Sequence, residues 1–172
     1  MKKTLLSLLL VSSFTVTSSL ADTFGQLGLG YAKGNNSDSY ITAFGALKII
    51  GNIGTRLEYT KNISENSEFS KEDIARYGLF ATYTLPILPN ISLTPKIGLT
   101  KTDGSFKLED TVKTISKSST EFTYGLEINY DINENMSAFI GYTDYGNALD
   151  ISDIDSSKLD SANYIFGIKI HL

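Results

Sequence analysis

One histidine and no cysteine leave this chain few ways to do covalent chemistry. Without a thiol there is no cysteine nucleophile, no disulfide and no lipid-modified cysteine anchor. A hydroxyl nucleophile needs a general base within hydrogen-bond reach, and the sole imidazole, His171, stands next to Leu172 at the end of the chain. Three carboxylates at Asp150-x-x-Asp153-x-Asp155 could gather around a divalent cation. The Gly and distal Glu of a calcium loop are missing, so they read as a solvated acidic loop. Gly25-x-x-Gly28-x-Gly30 has the wrong spacing for a dinucleotide fingerprint, and no helical pattern follows it. No catalytic, cofactor-binding or metal-ligating set is therefore expected. What invites explanation is a set of charges of both signs spaced through apolar stretches: Arg56, Glu58, Arg76, Lys96, Glu121, Glu127 and Lys169, with Lys48 at the margin.

Those charges sit in segments where polar and apolar residues alternate: 23–33, 39–50, 53–61, 73–85, 91–101, 120–130, 136–147 and 163–172. Side chains alternate across a strand, so each of these eight segments is a ribbon with one apolar and one mixed face. Their length, about 9–12 residues, is what a tilted membrane-crossing strand needs. In 120–130, for example, Phe122, Tyr124, Leu126, Ile128 and Tyr130 oppose Glu121, Thr123, Gly125, Glu127 and Asn129. The segment 39–50 is the least regular, because Phe44 shares a face with Thr42 and Lys48. Pro95 interrupts 91–101 and removes a ladder donor, which normally marks an edge or a bulge. The last segment should close on the first, around 23–33, since an open strand edge needs a partner.

Short connections at 51–52, 86–90 and 131–135 alternate with longer polar ones at 34–38, 62–72, 103–119 and 148–160. In an up-and-down meander all the long loops then fall at one end, as in outer-membrane barrels with long loops outside and short periplasmic turns. At the start of the chain, Lys2-Lys3 precedes an apolar run over 5–11 and the small-residue site Ser19-Leu20-Ala21. This pattern predicts a signal peptide over 1–21, cleaved to leave a barrel domain over 22–172. The apolar run is far shorter than the ~20 residues of a spanning helix. A formal net charge of −4 without a basic cluster argues against nucleic acid as a partner.

Period two does not say which face points outward. A soluble barrel of the lipocalin type would turn the apolar face in; a membrane barrel turns it to lipid. Under the second reading Tyr31, Tyr59, Tyr77, Tyr124, Tyr142 and Tyr164 lie toward the loop ends of their strands, and Tyr83 and Tyr130 toward the turn ends. Phenol rings favour the lipid–water interface, where the ring is apolar and the hydroxyl wet. Gly28, Gly30, Gly78, Gly98, Gly125, Gly141 and Gly167 then line the interior, leaving room for long charged side chains to cross a narrow lumen. On a solvated exterior they would only weaken the strands. The expected fold is all-β: an eight-stranded antiparallel up-and-down transmembrane barrel, with the mixed-sign charges forming a salt-bridged filling, since eight strands enclose just enough space for side chains.

The leader, the eight amphipathic strands and the terminal strand resemble the small outer-membrane β-barrels of Gram-negative bacteria, the opacity-protein and OmpX/Ail-like group. The likeness covers 22–172 as a pattern, without a sharp motif. It implies residence in the outer membrane as a monomer among outer-membrane lipid and lipopolysaccharide, after insertion by the barrel-assembly machinery. That machinery reads a terminal strand usually ending in an aromatic; this chain has Leu172 there. Function is expected in the exposed loops, at 62–72, 103–119 and 148–160, through adhesion to a host or surface ligand or through envelope integrity. A small porin is the alternative. A lipid A-modifying enzyme is disfavoured by the missing Ser–His pair at the loop end.

Overall fold

The computed structural model describes residues 24–34, 38–63, 71–107, 114–146 and 162–172, and within them the side chains of 71–73, 106–107 and 114–115 are left aside. The leader expected over 1–21 and the last long connection, 148–160, lie outside the described residues. The alternating segments form strands β1 (Gly25–Gly34), β2 (Ser39–Ile50), β3 (Ile53–Asn62), β4 (Lys71–Tyr83), β5 (Leu85–Leu88), β6 (Ile91–Lys107), β7 (Thr114–Asn133), β8 (Met136–Asp144) and β9 (Ala162–His171).

Strands β4 and β5 are one stave with a break at Thr84. Thr82 faces Lys96 and Leu85 faces Leu93, so the register against β6 runs through unchanged. The rungs missing between them are those where Tyr83 and Thr84 would meet Pro95 and Thr94. Proline has no N–H to give a ladder, which accounts for a gap there. Pro95 thus lies inside a paired strand, and its cost is taken by the neighbour. The Thr84 N–H points the other way and continues the β3 ladder, donating to the Asn52 carbonyl at 2.8 Å.

Every neighbouring pair is antiparallel, and the ring is closed. β1 pairs with β2 on one side and β9 on the other, while β4 pairs with both β3 and β6. Closure of the last strand on the first is as expected, with Leu29 opposite Ile168. Closure removes the open edges that make flat sheets aggregate. The apolar face points outward: Phe122 is 60% exposed, Leu99 57% and Leu79 57%, whereas Arg56 is 2% and Lys96 1% exposed. A soluble barrel would show the reverse, so the lipocalin alternative is set aside.

Three connections differ from expectation. The stretch 103–119 is largely strand: Asp103 pairs with Ser118 and Lys107 with Thr114, extending β6 and β7 into a long hairpin. The turn expected over 86–90 shrinks to Pro89-Asn90, because Leu85–Leu88 stays paired. Similarly, β7 runs on to Asn133, leaving Glu134-Asn135 as the turn into β8.

Candidate functional site

Large side chains enter the lumen because the residue facing each of them on the next strand is glycine. Phe44 faces Gly28, Phe139 faces Gly167, Lys96 faces Gly125, Glu127 faces Gly141, Phe80 faces Gly98 and Glu58 faces Gly78. A Cβ at Gly28 would collide with the Phe44 ring, one at Gly125 would lie 2.8 Å from Lys96 Cε, and one at Gly141 2.9 Å from Glu127 Cγ. The glycines make room for aromatic rings as much as for the long ionic side chains they were expected to accommodate.

At mid-height the charges form one connected network drawn from β3, β6, β7 and β9. Arg56 Nη2 pairs with Glu58 Oε2 at 2.9 Å, and Arg56 Nη1 reaches Glu127 Oε2 across the lumen. Lys96 Nζ donates to Glu58 Oε2 at 2.8 Å. Lys169 Nζ donates to Glu127 Oε1, and to Asn129 Oδ1 at 2.5 Å. Burying an ion is costly unless it is paired and hydrogen-bonded, and each of the five ions here has at least one partner of opposite sign. Phenyl rings supply further compensation: Arg56 Cζ lies 3.3 Å from the Phe44 ring centre, Lys96 Nζ 4.7 Å from Phe80 and Lys169 Nζ 5.0 Å from Phe139. Cations over aromatic faces gain most where water is excluded.

Toward the loop end, Arg76 lies between Tyr40 and Tyr145, at 4.8 Å and 4.6 Å from their ring centres. Asn163, with its amide oxygen turned inward, accepts from Arg76 Nη1 at 3.1 Å. Tyr145, just past β8, folds back over the lumen and donates to Glu58 Oε1 at 3.0 Å.

Toward the turn end, Ser137 Oγ donates to Asp131 Oδ1 at 2.6 Å and lies 2.5 Å from His171 Nε2. This Ser–His–Asp grouping is not a catalytic triad. The aspartate holds the serine, the other imidazole nitrogen faces Gln26 Nε2 at 3.5 Å, and Ser137 is fully buried. A triad needs its acid on the far side of the histidine and its nucleophile open to substrate.

Of the charges singled out, Arg56, Glu58, Lys96, Glu127 and Lys169 come together in the network and Arg76 sits above them. Glu121 does not join: it is half-exposed on the part of β7 that rises past the end of β8. Lys48 is exposed at the turn-end rim. Sequence reasoning passed over Tyr40, Phe80 and Tyr145 as lumen residues; Phe139 has the parity of the polar face, with Ser137, Gly141 and Thr143, but was not recognised as filling the lumen. Phe44 was visible only as an irregularity. The signal was there: each buried phenylalanine has polar-face parity and a glycine at the matching position of the next strand, but the match appears only once register is known.

The tyrosines expected at the interfaces lie on the outer surface. Tyr164 is 61% exposed and Tyr130 53% exposed, while Tyr31 and Tyr142 are partly covered. The Tyr59 and Tyr77 rings meet at 5.1 Å. At the loop end, Tyr31 Oη is 2.6 Å from Ser39 Oγ and Tyr124 Oη donates to Asp144 at 3.1 Å.

Among the described residues, the sheet continues beyond the barrel wall on the side of β4, β6 and β7. β3 leaves β4 at the pair Lys61–Ala75, and β8 leaves β7 at the pair Tyr124–Asp144. β4, β6 and β7 go on pairing as far as Lys71–Lys107 and Lys107–Thr114. Strand β7 thus runs ten residues beyond the pair Tyr124–Asp144, still paired with β6.

No curated protein matches the sequence significantly. Solved structures do. The N-terminal β-barrel domain of Pseudomonas aeruginosa OprF is 12% identical, covering 88% of this chain and 98% of that one, with a TM-score of 0.64. Ail, the attachment invasion locus protein of Yersinia pestis, is 16% identical over 87% of this chain and 97% of its own, at a TM-score of 0.54. Neisserial surface protein A is 12% identical over 90% and 100%, also at 0.54. At such identities the likeness speaks for the fold. The family model for the outer membrane protein β-barrel domain matches residues 6–171. The chain belongs to the outer membrane protein β-barrel domain family, and its place is the outer membrane.

Proposed function

We propose that this protein is a closed, non-conducting barrel that presents its loop end to partners outside the cell, serving adhesion or envelope integrity, and is neither an enzyme nor a pore. The observation that carries this is the contrast between a lumen filled by paired side chains and the β4–β6–β7 sheet rising past the barrel wall. That sheet offers the exposed Ser116, Lys117 and Ser118. Loops and extensions on a rigid scaffold are where binding residues concentrate. Ail has also been solved in complex with the heparin analogue sucrose octasulfate, so for this chain a sulfated polysaccharide is the second ligand class to test.

The test is adhesion by bacteria displaying the protein, against immobilised matrix proteins and heparin. Replacing 103–118 by an Asn-Gly turn removes the hairpin and leaves the barrel strands in place. Loss of adhesion with unchanged heat-modifiable gel mobility is the expected result; undiminished adhesion overturns the reading. Reproducible conductance steps from the purified wild type in planar bilayers would instead favour a porin. Altered lipid A on overexpression, read by mass spectrometry, would favour an enzyme.

A further inference from the structure

The lumen is filled at mid-height but not below it. Between the ion network and the turn end lies a chamber of about 50 Å³, bounded by Arg56 and Lys169 and walled by Ser92, Thr94, Asn129 and Ser137. It meets a wider vestibule of about 360 Å³ at the turn end, and Gln26, Thr82, Thr84, Asp131 and His171 line both. The turn end of such a barrel is its periplasmic side.

Donors outnumber acceptors in the chamber. Asn129 Nδ2 donates to Ser92 Oγ at 3.3 Å and to Thr94 Oγ1 at 2.9 Å, while its Oδ1 is taken by Lys169. Each hydroxyl still has a proton to give. Among the described residues, the protons of Thr84 and Thr94 have only each other's oxygens, 3.4 Å apart. Arg56, on the same chamber, is buried and its Nε has no hydrogen-bond partner. Charge points the same way. Arg56, Lys96 and Lys169 bring three positive charges to the network, and Glu58 and Glu127 two negative ones. Asp131, the remaining carboxylate of the lining, stands at the neck shared with the vestibule, with Oδ1 held by Ser137 at 2.6 Å.

We propose that the chamber is a binding site for one small monovalent anion of the chloride class, admitted from the periplasm through the vestibule. The anion would take the hydroxyl protons of Ser92 and Thr94 and sit against the guanidinium of Arg56 and the ammonium of Lys169. A buried charge is tolerated when it is paired and hydrogen-bonded, and this lining offers both. Size sets the selectivity. A water-sized sphere needs ~10–15 Å³ of such space, so the chamber admits a halide with a water or two and excludes a six-carbon carboxylate such as gluconate. The site lies inside the barrel and stands whether or not the hairpin mediates adhesion.

The test uses the folded protein in a nonionic detergent with gluconate as the only anion, titrated with chloride at constant ionic strength. The chloride-35 resonance should show a saturable excess line width, which bromide removes and gluconate does not. A ligand bound only by the folded state stabilises it, so the urea midpoint should rise with chloride and level off. Thr94→Val should weaken the chloride dependence about tenfold, the loss of one hydrogen bond to a charged group. Thr94→Asp, which supplies the negative charge from the chain itself, should abolish it. Asp131→Asn, which removes a repelling carboxylate from the neck, should shift half-saturation to lower chloride. Thr123→Val, a buried lumen hydroxyl outside the chamber, should leave it unchanged. Variants are compared only where boiled and unboiled samples differ on gels as the wild type does; otherwise the wild-type line width decides alone. The proposal falls if that line width is absent or if gluconate and bromide remove it equally. It also falls if the midpoint ignores chloride, which would mean that a neutral lysine relieves the excess charge, or if Thr94→Asp keeps the full dependence, which would place the ion on the surface.

Discussion

The mid-lumen and the β6–β7 hairpin share two strands and obey opposite rules. Lower on β7, Glu127 is enclosed by Arg56 and Lys169, and the residue facing it across the sheet is a glycine that makes room. Higher on β7, Ser116 and Lys117 face water and pair with Ser105 and Gly104 of β6. The difference lies in the neighbours. Where β8 and β3 are present the strands curve into a ring and their polar face is dehydrated; past the last β7–β8 pair, Ser116, Lys117 and Ser118 are exposed on both faces of β7. A polar residue on such a strand is an internal strut or a surface contact according to how far its neighbours climb.

Three substitutions would break or sharpen this contrast. Glu127→Ala removes the carboxylate shared by Arg56 and Lys169 and leaves buried cations uncompensated, a change that costs about 3–5 kcal/mol. It should lower the midpoint of urea unfolding in lipid vesicles, followed by gel mobility because the chain has no tryptophan. An unchanged midpoint would mean that water already reaches the network. Gly28→Val sets a branched side chain against the Phe44 ring, with an overpacking cost of about 1–3 kcal/mol. The double variant Gly28→Val/Phe44→Ala should be destabilised by less than the sum of the single changes; strict additivity would refute the pairing of glycine with ring. Ser116→Ala, which removes the 3.3 Å contact with Ser105 Oγ on the exposed hairpin, should shift stability by no more than about 0.5 kcal/mol. A larger loss in the same assay would show that the hairpin supports the barrel.

Much of the wall was legible in the sequence, since lipid on one side and a narrow lumen on the other enforce strict alternation. The outward series Phe122, Tyr124, Leu126, Ile128 and Tyr130 could be read directly. The network was half legible. Charges with inward parity were identifiable, but which of them meet depends on stagger around the ring. That stagger brings Glu127 to Arg56 and lifts Glu121 out of reach. The hairpin was the least legible part. Residues 103–119 are rich in Ser, Lys, Asp and Thr, and polar residues on both faces leave no alternation to mark a strand. Its pairing comes from the backbone of β6 meeting β7, to which composition is nearly blind. Phe44, Phe80 and Phe139 escaped for the opposite reason: an aromatic on the polar face looks like noise until its facing glycine is known.

The ion network also bears on how the barrel is assembled. Glu127 comes from β7, Arg56 from β3 and Lys169 from β9, so no hairpin of adjacent strands brings these groups together. In a sheet not yet rolled up, Arg56 and Glu58 already stand side by side on β3, but their partners Glu127 and Lys96 lie on strands that meet them only across the lumen. Only when β9 meets β1 are all five ions enclosed together. Ring closure and interior drying are then a single late event, and the slow step of insertion should be sensitive to the hydration of groups that never touch lipid.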